Sequence, residues 1–199
     1  MTRVLVLATR NSHKVAELAR ILAGLEVNLR SGLDLDLPDV DETGETFADN
    51  ALLKARAGLA ATGRPCVADD SGLVVDALGG APGVRSARYA GDHGDDEANL
   101  ALVIERTAGA TIRTARFVCA AALAAPAGEA VTEGTLEGTL ASQPRGSGGF
   151  GYDPILVPLG QARTCAELAP EEKDAISHRG KAFRALRPAI ARLLAEPRG

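Results

Sequence analysis

The N-terminal stretch VLVLATRNSHKVAEL constrains the fold more than any other, because its hydrophobic period changes in mid-course. Val4 to Ala8 form a short apolar run of strand character, and Val15, Leu18, Ala19 and Leu22 then share one face at helical spacing. The stretch is therefore a strand-to-helix junction, and Thr9, Asn11, Ser12 and Lys14 crowd into it. Unpaired N–H groups at a helix start carry partial positive charge and Lys14 adds a full one, so the junction suits a phosphate. It equally suits an ordinary N-cap by Asn11 or Ser12 beside a solvated lysine.

At 199 residues, with 46% hydrophobic and 24% charged residues, the chain reads as one soluble domain, 1–199, with a sizeable core. The first residues, MTRVLVLATRN, lack the apolar stretch and cleavage site of a secretory signal, and no apolar run approaches a membrane span. A cytoplasmic protein without membrane contact is expected. Cys66, Cys119 and Cys165 are odd in number and far apart, which argues against a disulfide framework or a structural zinc site. A formal net charge of −4 does not suit a nucleic-acid binder, which needs a broad basic surface, so any anionic ligand must be met by local cations.

Further along, EVNLRS reads as a short strand and DLDLPDVDETGE as an acidic loop. A helix follows, opened by the Thr46/Asp49 pair and carrying Phe47, Ala51, Lys54 and Ala55 at helical spacing. PCVADDSGLVVDALGGAPGV reads as a strand that runs into Asp69 and Asp70, then Ser71, Gly72 and a second apolar run. DDEANLALVIERTAG reads as a third helix, and RTARFVCAAALAAP with EAVTEGTLEGTLA as a long antiparallel hairpin turning near Ala127 and Gly128. A glycine-dense loop, RGSGGFGYDP, precedes a short strand ILVP. A Thr164/Glu167 capping pair comes next, and a last helix carries Ala182, Leu186, Ala189, Ile190 and Leu193 on one side.

Gly146, Gly148 and Gly151 fit G-x-G-x-x-G, but a dinucleotide fingerprint lies between the first strand and its helix, whereas this loop comes late and runs into Tyr152-Asp153-Pro154. The loop sets Phe150 and Tyr152 beside Asp153, a combination that can stack on a nucleobase and accept from its N–H, or can be a tight turn with the aromatics packed inward. Glu42, Asp69 and Asp70 supply hard oxygen ligands with no His partner, which favours Mg²⁺ over Zn²⁺; the alternative is an Asx-type turn at Asp70-Ser71-Gly72 with Asp69 in solvent. Ser177, His178 and Arg179 open the final helix, with Lys173 just upstream. Lys14, Lys173 and Arg179 are the cations that a triphosphate and an electron-rich base edge need. No serine-nucleophile motif stands beside any of the three histidines.

In this order the motifs LATRNSHKVAEL, DETGETFADNALLKA, ADDSGLVVDALGGAPGVRSARYAG, GSGGFGYDPI and EEKDAISHRGKA resemble the inosine triphosphate pyrophosphatase (Ham1/RdgB-type) family over nearly the whole chain. Arg10 departs from the small residue found in many relatives, while the Thr-x-Asn-x-x-Lys skeleton stands. The resemblance implies an elongated α/β fold, with a mixed central sheet and two lobes flanking a nucleotide cleft, assembled as a homodimer. It implies a triphosphate cradle from Thr9, Arg10, Asn11, Ser12, His13 and Lys14, Mg²⁺ held by Glu42 and Asp70, and Asp70 as proton acceptor. It matches Ser71, Phe150, Gly151, Tyr152, Asp153, Lys173, His178 and Arg179 to substrate-binding positions. The reaction implied is hydrolysis of ITP, dITP, XTP or dXTP between the α- and β-phosphates, with Arg179 or a nearby donor reading the 6-carbonyl of the base.

Two alternatives stand beside this reading. A Maf-type nucleotide pyrophosphatase carries an early Ser- and Arg-rich loop, replaced here by Thr9 to Lys14. A non-catalytic nucleotide sensor needs the cradle and base pocket but no carboxylate-held metal, and the presence of Glu42 and Asp70 favours an enzyme.

Overall fold

The computed structural model describes residues 3–91 and 95–195. Its mixed sheet has six strands in the order β2-β1-β3-β4-β5-β6: β1 (Arg3–Leu7), β2 (Val27–Ser31), β3 (Cys66–Val75), β4 (Thr114–Ala125), β5 (Gly128–Leu140) and β6 (Leu156–Pro158). The helices are α1 (Ser12–Ile21), α2 (Phe47–Thr62), α3 (Asp96–Thr107), α4 (Pro170–Ile176) and α5 (His178–Ala195). Strand β1 runs parallel to both β2 and β3, with Leu7 opposite Ser31 and Val67, while β5 and β6 are antiparallel. Two residues join β4 to β5, so the expected hairpin is present.

The chain divides into two compact units, one of residues 1–70, 119–134 and 179–199, the other of 71–118 and 135–178. In the first unit the pleat sends alternate side chains to opposite faces. Leu5, Leu7, Val67, Cys119, Ala121 and Leu123 meet Leu18, Ile21 and Leu22 of α1 and its surroundings and Ala182, Phe183, Leu186 and Ile190 of α5. Fully burying a leucine such as Leu18 or Leu22 contributes roughly 1.5–3 kcal/mol. On the opposite face, Ala68, Ala120, Ala122 and Ala124 pack against Ala51 and Ala55 of α2. Small residues are required there, because a Cβ on Gly58 of that helix would stand 2.3 Å from Cys66 Sγ. In the second unit Leu73, Val75, Phe117, Leu136, Leu140, Tyr152, Ile155 and Leu156 form a core of their own, packed against Val103 of α3.

The local start signals act as their chemistry requires. The Asn11 side chain accepts from Lys14 N–H to cap α1, and Thr46 Oγ1 accepts from Asp49 N–H to cap α2. Thr164 and Glu167 also form a capping box, but around a single 3₁₀ turn, Cys165–Glu167, and helix α4 begins later with Pro170 in its first turn. The larger departure is β3, which runs unbroken for ten residues through Asp69-Asp70-Ser71-Gly72. No Asx turn forms, and Asp70 lies in mid-strand rather than at a strand end. Gly72 lets a second segment press against the strand, since a Cβ there would lie 2.3 Å from Ser86 Oγ, and that hydroxyl accepts from Leu73 N–H at 2.9 Å.

Candidate active site

Asp69 and Asp70 are consecutive on β3, so their carboxylates leave the sheet on opposite faces. Asp69 lies on the side of Val67, the face of α1 and α5. Its Oδ2 accepts from Arg179 Nε at 3.1 Å and Nη2 at 3.0 Å and pairs with Lys14 Nζ at 3.1 Å. The guanidinium also donates to Glu17 Oε2. Glu17, Asp69 and Arg179 are all buried, Arg179 at 2% exposure. Burial alone would push the Asp69 carboxyl up, but the charges of Lys14, Arg179 and Lys54 outweigh it and hold the group well below the usual carboxylate range.

Asp70 lies on the side of Ala68, towards α2. Its Oδ1 accepts from Lys54 Nζ at 2.9 Å, and its Oδ2 from Asn50 Nδ2 at 3.3 Å. The same Lys54 Nζ donates to Glu42 Oε1 at 2.9 Å, and Asn50 Oδ1 accepts from Gly44 N–H at 2.8 Å. Asn50 and Lys54, one helical turn apart, thus tie the acidic loop to the strand and bring Glu42 and Asp70 to one cation. Burial raises the Asp70 carboxyl above its ordinary value, since the lowering by Lys54 does not compensate and Glu42 adds to the rise. Lys54 is driven down by burial but held above its ordinary value by Asp70, Asp69 and Glu42.

The turn from β1 into α1 stands open, with Arg10, Asn11, Ser12 and His13 exposed and Thr9 and Lys14 half-buried. Arg10, the position where the resemblance departs, reaches the acidic loop and donates to Asp39 and to the Leu37 carbonyl. The donor set around Lys54 fits a hard divalent ion. Two carboxylates converge on one positive centre without His or Cys, and Mg²⁺ ordinarily takes only one or two carboxylates, with water and phosphate oxygens completing its shell. Among the described residues no group of three or more His, Cys, Asp or Glu gathers.

The second unit holds the other group. Lys173 Nζ donates to Asp153 Oδ2 at 2.6 Å, both side chains being buried, and lies 5.1 Å from the centre of the Phe150 ring. Asp153 Oδ2 also accepts from Phe150 N–H at 2.9 Å, while Gly149, at φ +70°, makes room, since a Cβ there would stand 2.0 Å from that oxygen. Gly151 N–H donates to Asp96 at 3.0 Å. Tyr152 takes the inward-packed alternative of the two readings for this loop. It is buried in the core and donates its hydroxyl to the Ser86 carbonyl at 2.8 Å, because a phenol in an apolar interior needs a partner for its O–H. Ser71 is half-buried on β3, and His178 is buried with its ring stacked on Phe117, centroids 4.8 Å apart.

Arg179 differs most from the sequence reading. Its guanidinium, expected at a base edge, is committed to Asp69 and Glu17, partners distant in sequence by 110 and 162 residues. Sequence reasoning passed over Glu17 and Asn50, and placed Lys54 on a helical face without a role at the site. The available signal was a polar residue on an apolar helical stripe: Glu17 beside Leu18, and Asn50 and Lys54 flanking Ala51 and Ala55.

These features define a mixed-sheet α/β protein that carries an ion-paired carboxylate doublet in mid-strand. The chain belongs to the Ham1 family, whose model matches residues 5–189. It is 62% identical to a dITP/XTP pyrophosphatase of Streptomyces coelicolor, over 98% of this chain and 100% of that protein. A dITP/XTP pyrophosphatase of Mycobacterium tuberculosis is 52% identical, with 97% of each chain covered. Among solved structures, a HAM1 protein from Coxiella burnetii superposes with a TM-score of 0.85 at 43% identity, over 96% of this chain and 99% of that one. The nucleoside-triphosphatase / dITP/XTP pyrophosphatase of Mycobacterium abscessus gives 0.74 at 53% identity, over 93% and 99%.

Proposed function

We propose that this chain hydrolyses dITP, ITP and XTP or dXTP to the nucleoside monophosphate and pyrophosphate. The observation that carries the reading is the Glu42–Lys54–Asp70 cluster beside an ionised, doubly paired Asp69, in a chain whose full-length relatives are named dITP/XTP pyrophosphatases. Water attacks the α-phosphorus, the bond from that phosphorus to the bridging oxygen breaks, and pyrophosphate leaves. Asp70 takes the proton of the attacking water, a role that suits a carboxyl raised towards the operating pH. Glu42 and Asp70 would hold Mg²⁺, which supplies charge neutralisation on the phosphate oxygens.

Thr9 to Lys14 bind the triphosphate through the N–H groups of the α1 start and through Lys14. Phe150, Gly151 and Asp153, with Lys173, take the nucleoside, and Ser71 and His178 complete the substrate contacts. Tyr152 supports the loop from inside the core, and Arg179 braces Asp69. Selection follows from position 6 of the base: a carbonyl accepts a donated hydrogen bond, whereas the amino group of adenine sets a donor against a donor. The working form is a cytoplasmic homodimer without nucleic acid or membrane as partner; among the described residues no helix is long and apolar enough to cross a membrane.

The test is pyrophosphate release from ITP, dITP, XTP, GTP and ATP, with and without Mg²⁺, on the parent and on Asp70→Asn. The keto purines ITP, dITP and XTP are expected to turn over far faster than ATP, only with Mg²⁺, and Asp70→Asn to lower turnover by at least about 10²-fold, the lower scale for loss of a general base. A folded Asp70→Asn protein that turns over ITP near the parent rate would remove Asp70 from the chemistry.

A further inference from the structure

We infer that Lys54 is a resident counter-ion that closes the Glu42–Asp70 pair to free divalent metal, so that metal is admitted only together with a triphosphate. The inference rests on the assignment of Glu42 and Asp70 as the residues that hold the metal.

The geometry leaves one space for two cations. Lys54 Nζ stands 2.9 Å from Glu42 Oε1 and 2.9 Å from Asp70 Oδ1. The three side chains are 15%, 19% and 8% exposed, so little water reaches between them. The ammonium does not swing freely either. Asn50, one turn earlier on α2, bonds both Asp70 and the Gly44 amide of the loop that bears Glu42, so the helix that carries the cation also fixes both anions around it. A bare divalent ion entering this space must expel the ammonium while sharing the neighbourhood with it, and like charges close together in a poorly hydrated site repel strongly. The two carboxylates hydrogen-bonded to Lys54 are the same pair that would hold the ion, so metal and ammonium compete for the same oxygens. A metal that arrives bound to a triphosphate removes this obstacle, because phosphate oxygens replace the carboxylates as partners of the ammonium. Lys54 then works in two directions: it opposes free metal and favours the metal–triphosphate complex.

Mn²⁺ serves as the probe, with binding read from loss of the free-ion electron paramagnetic resonance signal, alone and with the α,β-methylene analogue of ITP. Lys54→Met is expected to bind Mn²⁺ alone at least tenfold more tightly than the parent, and to bind Mn²⁺ with the analogue more weakly. Lys54→Arg, which keeps the charge, is expected to remain like the parent towards Mn²⁺ alone. Opposite signs for the two titrations are not produced by simple structural damage. Lys54→Gln provides the same comparison should the methionine variant not fold. The proposal is overturned if the folded neutral variants bind Mn²⁺ alone no more tightly than the parent. A Glu42→Gln protein that binds Mn²⁺ with the analogue as the parent does would overturn the metal assignment itself, and the proposal with it. Loss of analogue-dependent Mn²⁺ binding in Glu42→Gln, together with a parent-like neutral variant, would leave that assignment standing and remove only the role of Lys54.

Discussion

Replacing Arg179 by methionine keeps most of the side-chain length and removes the charge that two buried carboxylates share. Arg179 is 2% exposed, and Glu17 and Asp69 are 5% and 3% exposed, so solvent cannot take over the three donated bonds. Asp69 keeps Lys14 at 3.1 Å, which limits the damage to about one broken buried pair rather than two. Breaking such a pair costs about 3–5 kcal/mol. In a domain of this size each kcal/mol lowers Tm by roughly 2–4 °C, so a fall of about 6–20 °C is expected by thermal unfolding followed by circular dichroism. Because the pair is dry, the fall should change little between low and moderate salt. Adding Glu17→Gln to Arg179→Met should recover part of the loss, since one uncompensated charge then disappears, and the cycle isolates the coupling. An Arg179→Met protein that melts within 2 °C of the parent, while its KM rises for ITP and not for ATP, would refute the bracing role and return Arg179 to the base edge.

Two further outcomes follow from the same contacts. Asp69 has a folded carboxyl held below the usual range, against about 3.9 when unfolded, so its ionised form stabilises the fold in full above about pH 4 and the contribution is lost as pH falls further; the Tm gap between the parent and Asp69→Asn should be widest at neutral pH and narrow in acid, and a gap constant from pH 3 to 7 would contradict this. Gly149→Ala places a Cβ where Asp153 Oδ2 now lies and at a φ of +70° that alanine resists, so KM for ITP should rise at least about tenfold with far-UV circular dichroism preserved, and an unchanged KM would detach this loop from the nucleoside.

The elements legible in the sequence were those whose signals are local. The change of period at Ala8, the caps at Asn11 and Thr46 and the short hairpin turn at residues 126–127 each depend on neighbours within a few positions, and each appears where the pattern sets it. Strand β3 misled for a related reason. Asp, Ser and Gly favour turns because they hydrogen-bond their own backbone or tolerate unusual φ, but here Ser86 reaches Leu73 N–H and Gly72 admits the contact, so tertiary packing overrides the local preference. At the site the residue types were legible while the partners were not. Nothing local connects Glu17 with Arg179, or Glu42 with Lys54 and Asp70. The cations read as open to a ligand are each already paired: Lys14 and Arg179 with Asp69, and Lys173 with Asp153.

The division of labour between Asp69 and Asp70 follows from the pleat. Two adjacent carboxylates on a loop would share one environment and titrate as a pair, whereas on a strand they face different neighbours. On the α1 and α5 side, Asp69 meets Lys14 and Arg179, and Arg179 also meets Glu17. On the α2 side, Asp70 and Glu42 both meet Lys54. On the first face the charges of Lys14 and Arg179 keep Asp69 ionised. On the second face burial outweighs the charge of Lys54, so the Asp70 carboxyl holds a proton more readily than a free carboxyl does. Burial, with Glu42 adding to it, carries the Asp70 carboxyl upward past the lowering by Lys54, whereas Lys14, Arg179 and Lys54 overcome burial at Asp69 and lower it. One face of β3 thus holds a carboxylate fixed among cations, and the other a carboxyl with raised proton affinity.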